Sequence, residues 1–442
     1  VHWYHNLALK SLPNSVSLGA GRGSQRSRME DTPLVMITDP DSLAKACEAM
    51  KGEPVLGIDT ESDSMYSYQE KVCLIQISDR QQDYIIDPLA VRDLGPFLEL
   101  VSDPDVVKIF HGADYDIVSL KRDYGCEIPN LFDTMVTSQI LGLPKVGLAD
   151  LVHRYFDVKL DKKYQRYNWA KRPLLPEHFD YARGDSHFLL PLREILLHKL
   201  EETGRKAIAD EEFERLALRS WTEKPFDPDD FVRMKHSSGL DEVGLKVLRA
   251  LFVYRDGQAK GMNRPPYKVI PNQVLLLLAR KRPESMDALN KMVRSGSSMV
   301  RRHGGAMVEA VKVGMADKTP LPSRKRESGG EKAPYGGRET ERLFQKLKGW
   351  RQEFVSAESI PMAMSASNNQ LKALAGWRPK DMEGLRALPD LRNWQIERYG
   401  ESWLEILAGF EDQMERPSRR SPRRRRSRRG GRKNGDVESS EE

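Results

Sequence analysis

The chain has 442 residues, 39% hydrophobic and 31% charged, with a formal net charge of +6 and a pI near 9.0. Single cores rarely grow past about 250–300 residues, so two or more domains are expected. Collagen-like repeats, a disulfide scaffold and a transmembrane bundle do not fit this composition.

The charge is concentrated at one end. Residues 416–442 hold ten Arg and one Lys against four acids, a net +7, which leaves −1 for the rest of the chain. A near-neutral body with a basic arm points to a polyanionic partner, nucleic acid first. Cys47, Cys73 and Cys126 show neither CxxC nor zinc spacing, which suits a reducing compartment.

Residues 1–32 lack the compact apolar stretch of a signal peptide and are expected to be a disordered extension or a misassigned start. From residue 33 the chain alternates. PLVMITD reads as a strand, DPDSLAKACEAM as a helix with an acidic N-cap, and PVLGIDTE as a buried strand ending in acids. KVCLIQISD and QDYIIDP read as strands, LGPFLELVSD as a helix and VVKIFHG as a strand. DIVSLKRDYG reads as a helix closed by Gly125, and FDTMVTSQILG as a further helix from residue 132. This alternation predicts an α/β domain on a mixed sheet over 33–205. One or two helices follow Asp185, and a helical linker covers 206–239.

Two small all-α modules are expected at 240–315 and 340–411, joined by a Gly, Lys and Ser-rich flexible linker at 316–339. They read as weak copies. Each has an aromatic–Arg pair (Tyr254–Arg255, Trp350–Arg351), then a Pro (Pro265, Pro361), a Leu-rich helix, a second Pro (Pro283, Pro379) and a short helix. The tail, 412–442, has too much charge and too much Pro, Gly and Ser to build a core.

Asp59 and Glu61 lie two apart at the end of a strand, so their side chains share a face. Carboxylates that close repel unless a cation lies between them, and an all-oxygen set suits Mg²⁺ or Mn²⁺. A surface acid pair would show the same DxE. Asp116 stands at a helix start, where capping alone explains an acid. Tyr181 and Asp185, at i and i+4, share a helix face, as many surface pairs do. His111 ends a strand without a His or Cys partner, so it reads as a supporting hydrogen-bonder rather than a ligand. Ser62, Ser64 and Cys73 lack an activating base, which leaves no covalent nucleophile.

In combination the pattern is specific. DxE on a strand, an Asp at a helix start and then YxxxD is the order of the DEDDy 3′–5′ exonucleases. FHGADYDIVSLKRDYG and KKYQRYNWAKRPLLPEHFDYARGDSHFLLPL resemble the second and third motif regions of bacterial ribonuclease D, and the helical modules are similar to two HRDC domains. The resemblance covers residues 33–411. It implies a ribonuclease-H-like α/β domain in which Asp59, Glu61, Asp116 and Asp185 bind two divalent ions, Mg²⁺ or Mn²⁺, and Tyr181 orients the attacking water. It also implies release of nucleoside 5′-monophosphates from RNA with a free 3′ end, tRNA precursors above all. The expected setting is a cytoplasmic monomer without organic cofactor or membrane. Two departures stand out: Arg183–Gly184 where the family has small residues, and Tyr167–Asn168–Trp169 where it has Ser–Asp–Trp.

Lys163, Arg166 and Arg172, interleaved with Tyr164, Tyr167 and Trp169, form a candidate grip on nucleic acid, basic groups on phosphates and rings on bases. A solvated loop around a core Trp169 fits equally well. Arg255 and Arg351 are the matching candidates in the helical modules. Two rival functions remain at this stage: the same chemistry on DNA, and a non-catalytic nucleic-acid-binding protein.

Overall fold

The computed structural model describes residues 32–293, 297–322, 333–357, 361 and 364–415. The expected disordered start, much of the 316–339 linker and the tail beyond 415 lie outside the described residues.

The first domain is built on a six-stranded mixed sheet. Its strands are β1 (Leu34–Ile37), β2 (Val55–Ser62), β3 (Val72–Ser78), β4 (Asp83–Ile86), β5 (Val107–Phe110) and β6 (Leu131–Asp133), in the order β1-β4-β3-β2-β5-β6. β2 is central. It runs antiparallel to β3 and parallel to β5. The helices are α1 (Pro40–Met50), α2 (Gly95–Ser102), α3 (Asp114–Tyr124), α4 (Thr134–Ile140), α5 (Leu148–Phe156), α6 (Pro176–His187), α7 (Leu189–Glu202) and α8 (Lys206–Ala217).

Local chemistry explains most of the boundaries. Asp39 caps α1 by accepting from the Ser42 amide at 2.9 Å, and Pro40 enters at the first helical turn, where its missing N–H costs nothing. Gly125 closes α3 in the left-handed region at φ 67°. The segment from residue 132 differs from the sequence expectation. Its first residues form strand β6 and only Thr134–Ile140 is helical. Parallel pairing with β5 holds Leu131–Asp133 extended, and Asp133 caps α4 by accepting from the Met135 and Val136 amides. α5 was not anticipated at all.

α6 lies across β2, β3 and β4, and α7 packs on β2 and β5. Gly57 makes this close approach possible. A Cβ there would stand 2.9 Å from the Ser186 carbonyl oxygen. The helix carrying Tyr181 and Asp185 is therefore pressed onto the strand carrying Asp59 and Glu61.

The first helical bundle comprises α9 (Glu242–Gly261), α10 (Pro266–Val269), α11 (Asn272–Lys281), α12 (Met286–Met292) and α13 (Ser298–Ala316). Its core includes Val247, Leu248, Leu251, Leu275 and Leu278. It touches the loop between β2 and β3. The Tyr68 hydroxyl donates to Asp256 at 2.9 Å, the Tyr68 amide donates to Asn263, and the Lys268 ammonium sits 3.7 Å from the Tyr66 ring centre.

The second bundle, taken by itself, comprises α14 (Gly337–Ala357), α15 (Asn368–Trp377), α16 (Met382–Arg386) and α17 (Asn393–Glu415). Trp350 meets Tyr399 and Trp403 edge to face, and the rings of Tyr399 and Trp403 lie tilted against each other. The two bundles repeat the same devices. Arg282 and Arg378 close α11 and α15 in the left-handed region, each just before a proline. Arg255 donates to the carbonyl 15 residues on, that of Ile270, and Arg351 does the same to Ala366.

Candidate active site

The carboxylates of Asp59, Glu61 and Asp185 offer oxygens that all lie within 4.8 Å of one another. The strand period puts Asp59 and Glu61 on one face of β2, and the register slips between Glu61 and Ser62, which ends the regular pairing at the site. Asp185 reaches them from α6. Asp116, buried at the start of α3, stands outside that trio and accepts a 2.5 Å hydrogen bond from the Thr60 hydroxyl.

The electrostatics follow from desolvation and from the mutual repulsion of the acids. Desolvation raises the Asp59 carboxyl well above its ordinary range, and the charges of Asp116, Asp185 and Glu61 add to it. Burial and the charges of Asp185 and Asp116 do the same to Glu61. Burial pushes Asp116 and Asp185 up to about 7. Every charge that acts on Asp59 is another acid of the group. Such a set is a poor structural ion pair and a good site for hard divalent cations, whose charge would offset the mutual repulsion.

Tyr181 sits on α6 one turn before Asp185. Its phenol is raised above the ordinary value, mainly by burial and then by Asp185, Glu61 and Asp59, so it keeps its proton at neutral pH. Its ring stacks on Trp169 at 5.9 Å between centroids and meets Tyr164 edge-on at 5.7 Å. Trp169 is 1% exposed. It is therefore a core residue that supports Tyr181 and not, as the sequence suggested, a contact for nucleic acid.

Two further candidates move inward. Arg172 makes a two-pronged pair with Asp87, at 2.6 and 2.7 Å, and donates to the Trp169 and Cys73 carbonyls. Its guanidinium braces the aromatic loop rather than facing a phosphate. Arg255 is 5% exposed and bonded to Ile270 and Asn272, so it is a strut of the first bundle. Arg351 spends one nitrogen on the corresponding carbonyl. Lys163 and Arg166 are exposed, with Lys163 over the Tyr164 ring at 4.8 Å, and they stay available for a polyanion. His111 hydrogen-bonds Thr134, which in turn donates to the Phe110 carbonyl, and burial lowers the imidazole to about 4. It is a neutral brace at the end of β5. Asp114 pairs with Arg219 on the surface at 2.7 Å.

Several supports escaped the sequence reading. Asp133 collects four backbone amides, those of Gly112, Ala113, Met135 and Val136, and so fixes the turn that leads to Asp116. The Asp–Thr pair before an apolar run is a capping signal that could have found it. Thr60 and Arg183 gave no such local sign, because their partners are more than 50 residues away.

The family described as 3′-5′ exonuclease matches residues 34–201, and the HRDC domain matches residues 244–311 and 340–407. The chain is 33% identical over 287 residues to the exosome complex component 10 homolog of Caenorhabditis elegans, covering 64% of this chain and 33% of that protein. It spans about a third of the length of the curated relatives of this type. It is 29% identical over 378 residues to ribonuclease D of Sphingobium indicum, covering 85% of this chain and 94% of that one. The crystal structure of the catalytic core of RRP6 from Trypanosoma brucei superposes with a TM-score of 0.60 at 32% identity, covering 70% of this chain and 84% of that one.

Proposed function

The chain belongs to the ribonuclease D/RRP6-like superfamily of DEDDy exonucleases with HRDC domains, and from that premise we propose that it is a metal-dependent 3′–5′ exoribonuclease. The reading is carried by one observation: Asp59, Glu61 and Asp185 offer carboxylate oxygens within 4.8 Å of one another, with a protonated Tyr181 a turn away.

The residues fit two divalent ions, Mg²⁺ or Mn²⁺, held by Asp59, Glu61, Asp116 and Asp185, because every donor is a hard carboxylate oxygen in a half-buried site. Bound there, such ions supply an activated water, neutralise phosphoryl charge and assist the leaving 3′-oxygen. The chain's own residues do the rest. The Tyr181 hydroxyl holds and orients the attacking water, and the Trp169–Tyr164 wall keeps that hydroxyl in place. α6 and β2 press the acids together. The products of this chemistry are nucleoside 5′-monophosphates.

The substrate we propose is RNA with a free 3′ end, tRNA precursors above all, handled by a cytoplasmic monomer of the bacterial ribonuclease D type. The near end-to-end match with the Sphingobium enzyme, through two HRDC segments, supports this choice. No helix among the described residues is long and apolar enough to cross a membrane.

The test is direct. Purified protein with Mg²⁺ or Mn²⁺ should shorten a 5′-labelled RNA stepwise from its 3′ end, faster than the matched DNA, and should trim a tRNA precursor to its folded acceptor stem. Excess chelator, Asp59→Ala or Asp185→Ala should abolish it. Faster hydrolysis of DNA would move the reading to a deoxyribonuclease, and no hydrolysis with either metal would leave a binding protein.

A further inference from the structure

One buried polar side chain beside the acids has no role yet. Gln76 lies on β3 and is fully buried, and neither its Nε2 nor its Oε1 has a hydrogen-bond partner among the described residues. An unpaired buried amide gives up its hydrogen bonds to water without replacing them, which costs stability. Native proteins seldom carry that cost without a use or a bound water to relieve it.

Its position is informative. Gln76 is the direct antiparallel partner of Asp59, so the two side chains rise from the same face of the sheet. The next residues on that face of β3 are Leu74 and Ser78. Leu74 packs in the cluster with Ala182 and Tyr181, and the Ser78 hydroxyl bonds the Ser186 hydroxyl at 2.8 Å. Gln76 lies between those two contacts. It is therefore under the turn of α6 that runs from Ala182 to Ser186 and carries Asp185. An amide with two free donors and a free acceptor is thus enclosed between two of the acids proposed to bind metal.

We propose that Gln76 is a positioning residue of the metal centre, whose amide donates across one water towards the Asp59 carboxylate and holds it in the orientation a divalent ion requires. The chemistry is matched. An ionised carboxylate has more lone pairs than a metal uses, and a neutral amide satisfies one without competing as a charge. A lysine in this place would neutralise the acid and compete with the ion. An apolar residue would leave the carboxylate free to turn.

The inference rests on the reading of the acids as a metal site, and the experiment separates the two. Thermal unfolding of the full chain is followed with Mn²⁺ titrated from zero, for wild type and for Gln76→Met, which keeps length and removes the amide. Should wild type show no Mn²⁺-dependent rise in Tm, the metal reading itself falls. Given that rise, Gln76→Met should unfold in chelator at or above the wild-type temperature, because an unpaired polar group has been replaced by an apolar one. Its half-saturating Mn²⁺ should increase about 10- to 100-fold, the usual effect of losing a group that braces a ligand. Gln76→Leu should behave likewise. An unchanged Mn²⁺ midpoint would overturn the proposal. So would a Tm in chelator well below wild type in both variants, since the amide would then serve the fold and not the centre.

Discussion

Arg183 donates from Nε and Nη2 to one oxygen of Asp83, at 3.0 and 2.7 Å, and Asp83 is 1% exposed. The same carboxylate takes Ser78 and His187. α6 is thereby tied to β4 by a charged pair placed between Tyr181 and Asp185 in sequence. The departure from small residues at position 183 is a tether, and it lies on the side of the helix away from solvent.

Removing one partner of a buried pair leaves the other charge uncompensated. Arg183→Ala should therefore cost about 3–5 kcal/mol of stability, read from the urea midpoint of the exonuclease transition. Arg183→Met together with Asp83→Leu should recover most of that loss, because a well-packed apolar pair can replace a buried ionic one. Equal destabilisation by the single and double variants would show that the pair is not coupled.

The approach of α6 to β2 gives a second prediction. A Cβ at Gly57 would meet the Ser186 carbonyl at 2.9 Å and the Leu189 and Leu190 side chains at 3.1 Å. A backbone oxygen on a packed helix cannot swing aside as a side chain can. Gly57→Ala should cost about 1–3 kcal/mol by overpacking and push Asp185 away from Asp59 and Glu61. Hydrolysis should fall by more than the folded fraction does, which circular dichroism and single-turnover rates measured on one sample would reveal.

The acids also set a pH dependence. Asp116 and Asp185 are pushed from the ordinary 3.8 up to about 7, and Asp59 and Glu61 are raised as well. The folded chain therefore holds more protons than the unfolded chain between about pH 4 and pH 7, and its stability falls as pH rises through that window. Asp83 is lowered and works the other way, but its contribution is lost only as the solution becomes more acidic than its ordinary value. His111, lowered to about 4, also works the other way, and its contribution is complete once pH passes its ordinary 6.5. In chelator, Tm should therefore drop between pH 6.5 and 8. Saturating Mn²⁺ should remove most of that drop, because ion binding requires the ionised acids. A chelated protein whose Tm rises over this range would contradict the upward shift of the four carboxylates.

The parts legible in the sequence share one property: their information is local. β2 ends in its acids, Gly125 stops α3, and Tyr181 and Asp185 share one face of a helix, all within a few residues of each other. The paired prolines and Leu-rich helices of the two bundles were visible for the same reason. β6 was not legible, because the three residues Leu131–Asp133 are held extended only by pairing with β5. Arg172 and Arg255 looked like surface cations because sequence gives charge but not partner. Their partners, Asp87 and Ile270, are supplied by the fold. The four acids were found by their order along the chain, whereas Thr60, Asp133 and Gln76 are fixed by packing and register.

The basic arm gives the last prediction, and Arg172 supplies its control. Truncation after Glu415 removes ten Arg and one Lys against four acids. Each phosphate contact that a single strand loses makes the slope of log K against log salt shallower by about 0.7. RNA affinity of the truncated chain should thus fall most at low salt and converge on wild type as salt rises. Turnover at saturating RNA should stay near wild type, since the acids lie in the α/β domain. Arg172→Ala should do the opposite. Its guanidinium is committed to Asp87 and three carbonyls, so its loss should loosen the Trp169 wall behind Tyr181, lowering stability and turnover while the salt slope stays unchanged. Fluorescence anisotropy with a labelled single strand over a salt series, beside single-turnover hydrolysis, separates the two. A truncated chain with the wild-type slope would mean that the arm makes no contact with the RNA, and a shallower slope in Arg172→Ala would return that residue to the binding surface.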